Sequence, residues 1–232
     1  MGITVSGKQI QWVSEYHGQR IEEEQEVSIK AGAPAPMLEN KDDTIYVMVD
    51  GSMVYTREER WKEMKVGRIF SDKDCIAIQK NRKEIMNNFY VCHLGEHHKF
   101  FSKLEYYADS YKKKVCIADG AKWIWKWASE MYPEMLQILD YYHAVEKIGY
   151  FASQQFTDEQ QRKEWLSEQK EKLLNNGVSE IIMLLKHSIS KNKEAEKTKN
   201  DAIRYYESNK DRMQYKTYIE DGYLIGSGAI EA

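Results

Sequence analysis

The period of the apolar positions changes several times along the chain, and each change marks an element. Behind Ser6, a potential N-cap, Ile10, Val13 and Tyr16 or His17 recur at helical spacing, which predicts a short helix over residues 7–17. Lys30 to Lys41, with Pro34 and Pro36, reads as a linker. Thr44-Ile-Tyr-Val-Met-Val-Asp50 is a continuous β-branched and apolar run, the pattern of a strand buried on both faces and ending at Asp50-Gly51. Trp61 to Phe70 alternates polar and apolar residues and predicts a second strand. Phe89 to Leu94 predicts a third, after a short helix over residues 76–87. Phe100, Phe101, Leu104, Tyr107, Ala108 and Tyr111 place a helix over Lys99 to Tyr111. Val115 to Asp119 is another short apolar strand stopped by Asp-Gly. Ala121 to Tyr132 is a helix closed by Pro133, with Trp123, Ile124, Trp127, Ala128 and Met131 on one face. Met135 to Leu139 is the last strand and runs into Asp140. From His143 to about Lys216 only helical patterns occur, interrupted at Asn175-Asn-Gly177 and at Ser188–Asn192. Strands and helices in this order predict an α/β fold with a helical appendage.

Composition narrows the class. The 232 residues suffice for one large domain or two small ones, and 42% hydrophobic with 31% charged residues is ordinary globular composition. No apolar run has the length of a membrane span, and MGITVSGKQIQ has no apolar core for a signal peptide. Cys75, Cys92 and Cys116 are an odd count without CxxC spacing, which fits a reduced, cytoplasmic setting. The net charge of −3 argues against a simple basic nucleic-acid binder and leaves room for a nuclease with a local basic face. Charge is uneven: residues 15–26 hold five Glu against Arg20, and residues 186–216 hold nine Lys or Arg against five acids. Solvated helix faces account for both stretches equally simply.

The candidate chemistry lies in carboxylates. Asp50 and Asp119 each end a short buried strand and precede a Gly, and ligand sites of open α/β sheets gather at that edge. If the strands are neighbours, the two acids repel unless a cation lies between them, and Mg²⁺ or Mn²⁺ suits oxygen ligands. Asp-Gly is also common turn chemistry. Gly226-Ser-Gly-Ala-Ile-Glu231 reads as a helix start with Ser227 as cap and Glu231 in the first turn, where the acid could reach a metal pair or merely complement the helix dipole. Asp140 and His143 form a D-x-x-H pair that reads either as a contact near such a site or as a helix N-cap beside a packed imidazole. His93, His97 and His98 near Cys92 lack the usual spacing of a zinc site. Lys62, Lys65 and Arg68, the run Lys112 to Lys114, and Lys122 with Lys126 are the basic residues that could meet phosphates.

These residues carry a resemblance. V-D-G-S-M-V followed by W-K-E-M-K-V-G, then A-D-G-A-K-W-I-W with I-L-D-Y-Y-H-A-V-E, and finally G-S-G-A-I-E-A resemble, in order, the three catalytic blocks of bacterial insertion-sequence DDE transposases, in the branch allied with Mutator-like transposases. The resemblance spans about residues 40–232. It implies an RNase H-like mixed sheet flanked by helices, with a long all-helical insertion before the last catalytic block. It implies Asp50, Asp119 and Glu231 as the catalytic and metal-binding triad, two Mg²⁺ or Mn²⁺ ions, DNA ends and target as partners, and a homodimer or higher oligomer in the full-length enzyme. Asp140 and His143 fall near the metal site or its DNA by the same resemblance. The implied division is an N-terminal helical remnant and linker over 1–40, the catalytic core over 41–143, the insertion over 144–222 and the start of the final catalytic helix over 223–232. With so little chain after Glu231, the reading is of a transposase truncated at both ends and impaired by itself. The alternatives are a non-catalytic DNA-binding or interaction remnant of the same fold, and an unrelated α/β domain whose helical region binds a partner.

Overall fold

The computed structural model describes residues 5–36, 38, 40–57, 60–79 and 82–226. Its centre is a mixed sheet. Strand β1 (Thr44–Thr56) pairs antiparallel with β2 (Arg60–Ser71) and parallel with β6 (Lys113–Ala118). Strand β5 (Phe89–Leu94) adds antiparallel to β2, and β7 (Leu136–Leu139) adds parallel to β6, giving the order β5-β2-β1-β6-β7. The centre of β1 is buried on both faces, with Ile45, Val47 and Met48 fully buried, as its apolar run predicts.

Three segments differ from the sequence expectation. The first helix, α1 (Gly7–Lys30), runs thirteen residues beyond the predicted end, although Ser6 does form the capping box with Gln9. None of its residues is buried, so no apolar period marks its second half. That half is supported by side-chain pairs one turn apart, Gln19–Glu23, Arg20–Glu24 and Glu26–Lys30. Strand β1 does not stop at Asp50-Gly51 but continues to Thr56. Its parallel neighbour ends opposite Val49, whereas its antiparallel neighbour pairs with it all the way to Thr56, so the strand projects past the sheet as one arm of a hairpin. Residues 76–87 are not a helix: β3 (Cys75–Gln79) and β4 (Arg82–Ile85) pair antiparallel as a small separate sheet.

One helix covers the sheet near β2 and β5, and a second packs against it. Helix α2 (His97–Ala108) places Phe100 and Leu104 against Gly67 of β2, where any side chain would collide: an added Cβ would sit 2.5 Å from the Leu104 Cδ2. Helix α3 (Lys122–Met131) stacks Trp127 on Phe101 of α2 with ring centroids 4.5 Å apart. The buried face of α3 carries Ile124, Trp125, Trp127 and Ala128, while Met131 is exposed.

After β7 the described chain is all helical. The elements are α4 (Tyr141–Gln155), α5 (Glu159–Leu174), α6 (Val178–His187), α7 (Lys193–Asn209) and α8 (Tyr215–Glu220). Two of the breaks fall where Asn175-Asn-Gly177 and Ser188–Asn192 place them, whereas those between Gln155 and Glu159 and between Asn209 and Tyr215 carry no such sequence mark. Helix α7 packs along α4, and the buried Tyr206 hydroxyl donates to the Ala144 carbonyl at 2.7 Å. The chain then returns to the sheet: the amide of Leu224 donates to the Tyr46 hydroxyl and that of Tyr141 to the Ile225 carbonyl. No helix among the described residues is long and apolar enough to cross a membrane.

Candidate functional site

The three parallel strands end together. Val49 of β1 is in register with Ala118 of β6, and Ala118 with Leu139 of β7. The next residue on each strand is an aspartate: Asp50, Asp119 and Asp140. Successive strand residues alternate faces, so three acids at one register position share a face at the C-terminal edge of the parallel ladder.

Local backbone fixes each acid. One Asp50 carboxylate oxygen accepts the Gly51 amide at 2.8 Å, and one Asp119 oxygen accepts the Ala121 amide at 2.9 Å. The second oxygen of each carboxylate accepts no hydrogen bond among the described residues. Asp140 is fully buried and caps α4, accepting the amides of Tyr142 and His143 at 2.7 and 3.1 Å. His143 lies one turn into α4, with its Nδ1 3.5 Å from a Glu146 carboxylate oxygen. The D-x-x-H pair thus begins with an N-cap, and it also sits beside the other two acids.

Electrostatics registers that proximity. Burial is the main cause that raises the Asp50 carboxyl above its usual range, with Asp119 and Asp140 adding to it; the Gly51 amide and His143 act in the opposite direction. A carboxylate raised in the folded state costs no stability below its unfolded pKa, where both states hold the proton. The cost grows as pH rises through the folded pKa. Replacing Asp50 by its uncharged isostere, Asp50→Asn, is therefore expected to raise the melting temperature at pH 7. The difference from the parent should shrink as pH falls and vanish below about pH 4, the unfolded range of aspartate. A thermal melt series from about pH 3.5 to 7.5 on both proteins, spanning that range, measures it. An Asp50→Asn protein less stable than the parent at neutral pH refutes it.

Helix α7 closes the site from outside the sheet. The Tyr205 hydroxyl donates to the Asp119 carbonyl at 2.6 Å, and Lys147 of α4 lies 5.0 Å from the Tyr205 ring centre. Burial, then the charges of Asp119 and Asp140, push the Tyr205 phenol far above its ordinary value, so it remains a donor throughout the physiological range. Gly120, at φ +94°, lets the chain pass beneath this ring. Tyr205 escapes sequence reasoning, since a Tyr-Tyr pair in a polar helix gives no sign of a partner far away in the chain.

The other sequence-named groups fall elsewhere. Glu231 and its Ser227 cap lie outside the described residues; the last described residue, Gly226, stands against the Tyr142 ring beside Asp140. Lys65 and Arg68 are buried, Lys65 donating to Glu63 at 2.6 Å and to the Gly95 carbonyl, and Arg68 lying over the Tyr90 and Phe70 rings. Neither is exposed to solvent. Lys112 pairs with Asp42, Lys126 with Glu130, and Lys114 donates to the Tyr111 carbonyl. Lys113 and Lys122 make no ion pair among the described residues. His97 packs edge-on against Phe101. Among the described residues no three His, Cys, Asp or Glu side chains form a complete metal-ligand group.

No protein-family model matches the chain, and no curated protein matches it significantly.

Proposed function

We propose that the chain is the catalytic part of a DDE-type DNA transposase with an RNase H-like core, cleaving DNA ends and joining them to a target in a Mg²⁺- or Mn²⁺-dependent reaction. The observation that carries this reading is the row of aspartates at one register position on three parallel strands, coinciding with two of the three blocks that resemble the family.

The donor set fits a hard divalent cation. Asp50 and Asp119 each commit one oxygen to a backbone amide, and the free oxygen of each is the hard anionic ligand such an ion prefers. In this reading Asp50 and Asp119 hold the ions, with Glu231 as the third ligand that the resemblance implies. Two bound ions would stabilise the charge that develops on the attacking and leaving oxygens of phosphoryl transfer. The chain's own part is positioning. The Gly51 and Ala121 amides lock the carboxylate rotamers, Tyr205 ties the Asp119 backbone to α7, and Asp140 fixes the start of α4 and with it His143. Water serves as nucleophile for cleavage and the freed DNA 3′-hydroxyl for joining.

Incubation with supercoiled plasmid DNA and Mn²⁺ tests the reading. Weak metal-dependent nicking that the Asp119→Asn protein lacks is expected. DNA binding with no metal-dependent nicking in either protein would leave the non-catalytic remnant instead.

A further inference from the structure

A cleft of about 630 Å³ opens next to Asp119, between the start of α3 and the outer face of α7; Gly120 and Tyr205 border both it and the acid row. Its charges do not cancel. Two acids line it, and both are already spent: Asp201 is paired with Arg204, and Glu207 with Lys186 at 2.6 Å. Two other cations line it and are not spent. Lys122 is exposed and makes no ion pair among the described residues.

Arg212 is more telling, because it is half-buried. Its Nε donates to the Gln137 side chain at 2.8 Å, and its guanidinium stacks 4.8 Å from the centre of the Trp125 ring. These contacts hold the plane of the group while its two terminal nitrogens have no acceptor among the described residues. Burial lowers its pKa somewhat, and no acid lies within ion-pair distance among the described residues. A partly desolvated guanidinium costs free energy unless an anion meets it, and a stacked, preoriented fork is the geometry that recognises phosphate oxygens. Trp125, only 6% exposed, lines the same cleft with its indole N–H unpartnered among the described residues. The Ser208 hydroxyl, also on the lining, adds a further donor.

We infer that this cleft is a phosphate-binding site in which Arg212 and Lys122 hold a phosphodiester or phosphoryl group beside the Asp119 edge. Under the transposase reading, on which the choice of a nucleic-acid occupant rests, the group belongs to the DNA strand flanking the reacting bond. The same chemistry would accept a free phosphate or phosphomonoester.

The test is binding without catalysis. Anisotropy of a labelled single-stranded oligonucleotide is measured in EDTA over a salt series, on the parent, Lys122→Gln, Arg212→Lys, and the Lys122→Gln/Arg212→Gln double variant. Titration with inorganic phosphate forms a second arm. The double variant is expected to bind the oligonucleotide about tenfold more weakly, with a log K against log salt slope shallower by about 1.4, at roughly 0.7 per lost single-strand phosphate contact. Lys122→Gln alone, a surface change that leaves the fold in place, should reduce the slope by about 0.7. Arg212→Lys keeps the charge but not the fork and should fall between parent and double variant. If inorganic phosphate binds the parent but not Lys122→Gln, while oligonucleotide affinity is the same in both, the site stands and its occupant is a small phosphate. Equal affinity and slope for oligonucleotide and equal affinity for phosphate in parent and Lys122→Gln overturn the inference. Because EDTA removes divalent ions, absence of nicking leaves this result unaffected, and absence of binding here leaves the nicking result unaffected.

Discussion

Asp50→Asn and Asp119→Asn should each lower metal-dependent DNA nicking by at least about 10³-fold, a loss on the order of 4 kcal/mol of transition-state stabilisation. Each change removes one negative charge and almost nothing else. Asn keeps a carbonyl oxygen to accept the Gly51 or Ala121 amide, so the local turn survives. At position 50 the same substitution is expected to stabilise the fold at neutral pH, since it relieves the burial and like-charge repulsion that raise the Asp50 carboxyl. Gain of stability with loss of activity distinguishes a functional acid from a structural one. A purely structural turn acid would leave the nicking rate unchanged on amidation. Side-by-side melting curves and nicking rates separate the two outcomes, and wild-type nicking by either variant contradicts the assignment.

Gly120→Ala should be the most damaging single-methyl change in the site, lowering stability by about 2–5 kcal/mol. Two independent costs combine. At φ +94° a side chain strains the backbone by about 1–2 kcal/mol. The new Cβ would also stand 2.9 Å from Tyr205 Cε2 and 3.1 Å from Leu139 Cδ1, an overpacking worth about 1–3 kcal/mol. For a chain of this size the melting temperature should fall by about 4–20 °C. Gly149→Ala is the control, because nothing lies within 4 Å of its added Cβ and no positive φ is involved, so its melting temperature should not fall. Equal melting temperatures for the two variants would show that Tyr205 does not seat on Gly120 as described.

How much of this was legible in the sequence depends on what enforces each element. Strands β1 and β6 announced themselves because burial on both faces demands an unbroken apolar run, and the Asp-Gly that follows each run marked the site edge. The end of β1 was not legible. Its exposed half persists only because β2 pairs with it, and a pairing partner leaves no mark on a polar stretch. Helix α1 was half legible for the related reason that an element burying nothing carries no period; its N-cap Ser6 showed its start, and side-chain pairs one turn apart carry it on. The β3–β4 hairpin reads as a helix because a short segment mixing apolar and basic residues satisfies either period. Within the site, Asp50, Asp119 and Asp140 could be named from strand ends. The equality of their register could not, since it depends on how β1, β6 and β7 align. Tyr205 and Arg212 reach the sheet only through packing of the helical region, so no local pattern pointed to them.

Divalent cations are proposed to sit on the aspartate row at Asp50 and Asp119. The most direct measurement is the anomalous diffraction of crystals of the protein grown with Mn²⁺. The expected result is a Mn²⁺ peak within about 2.0–2.3 Å of the free carboxylate oxygens of Asp50 and Asp119, lost in crystals of the Asp119→Asn variant. A saturating Mn²⁺ concentration that leaves this edge without a peak, with Asp50 and Asp119 bound only to the Gly51 and Ala121 amides, contradicts it.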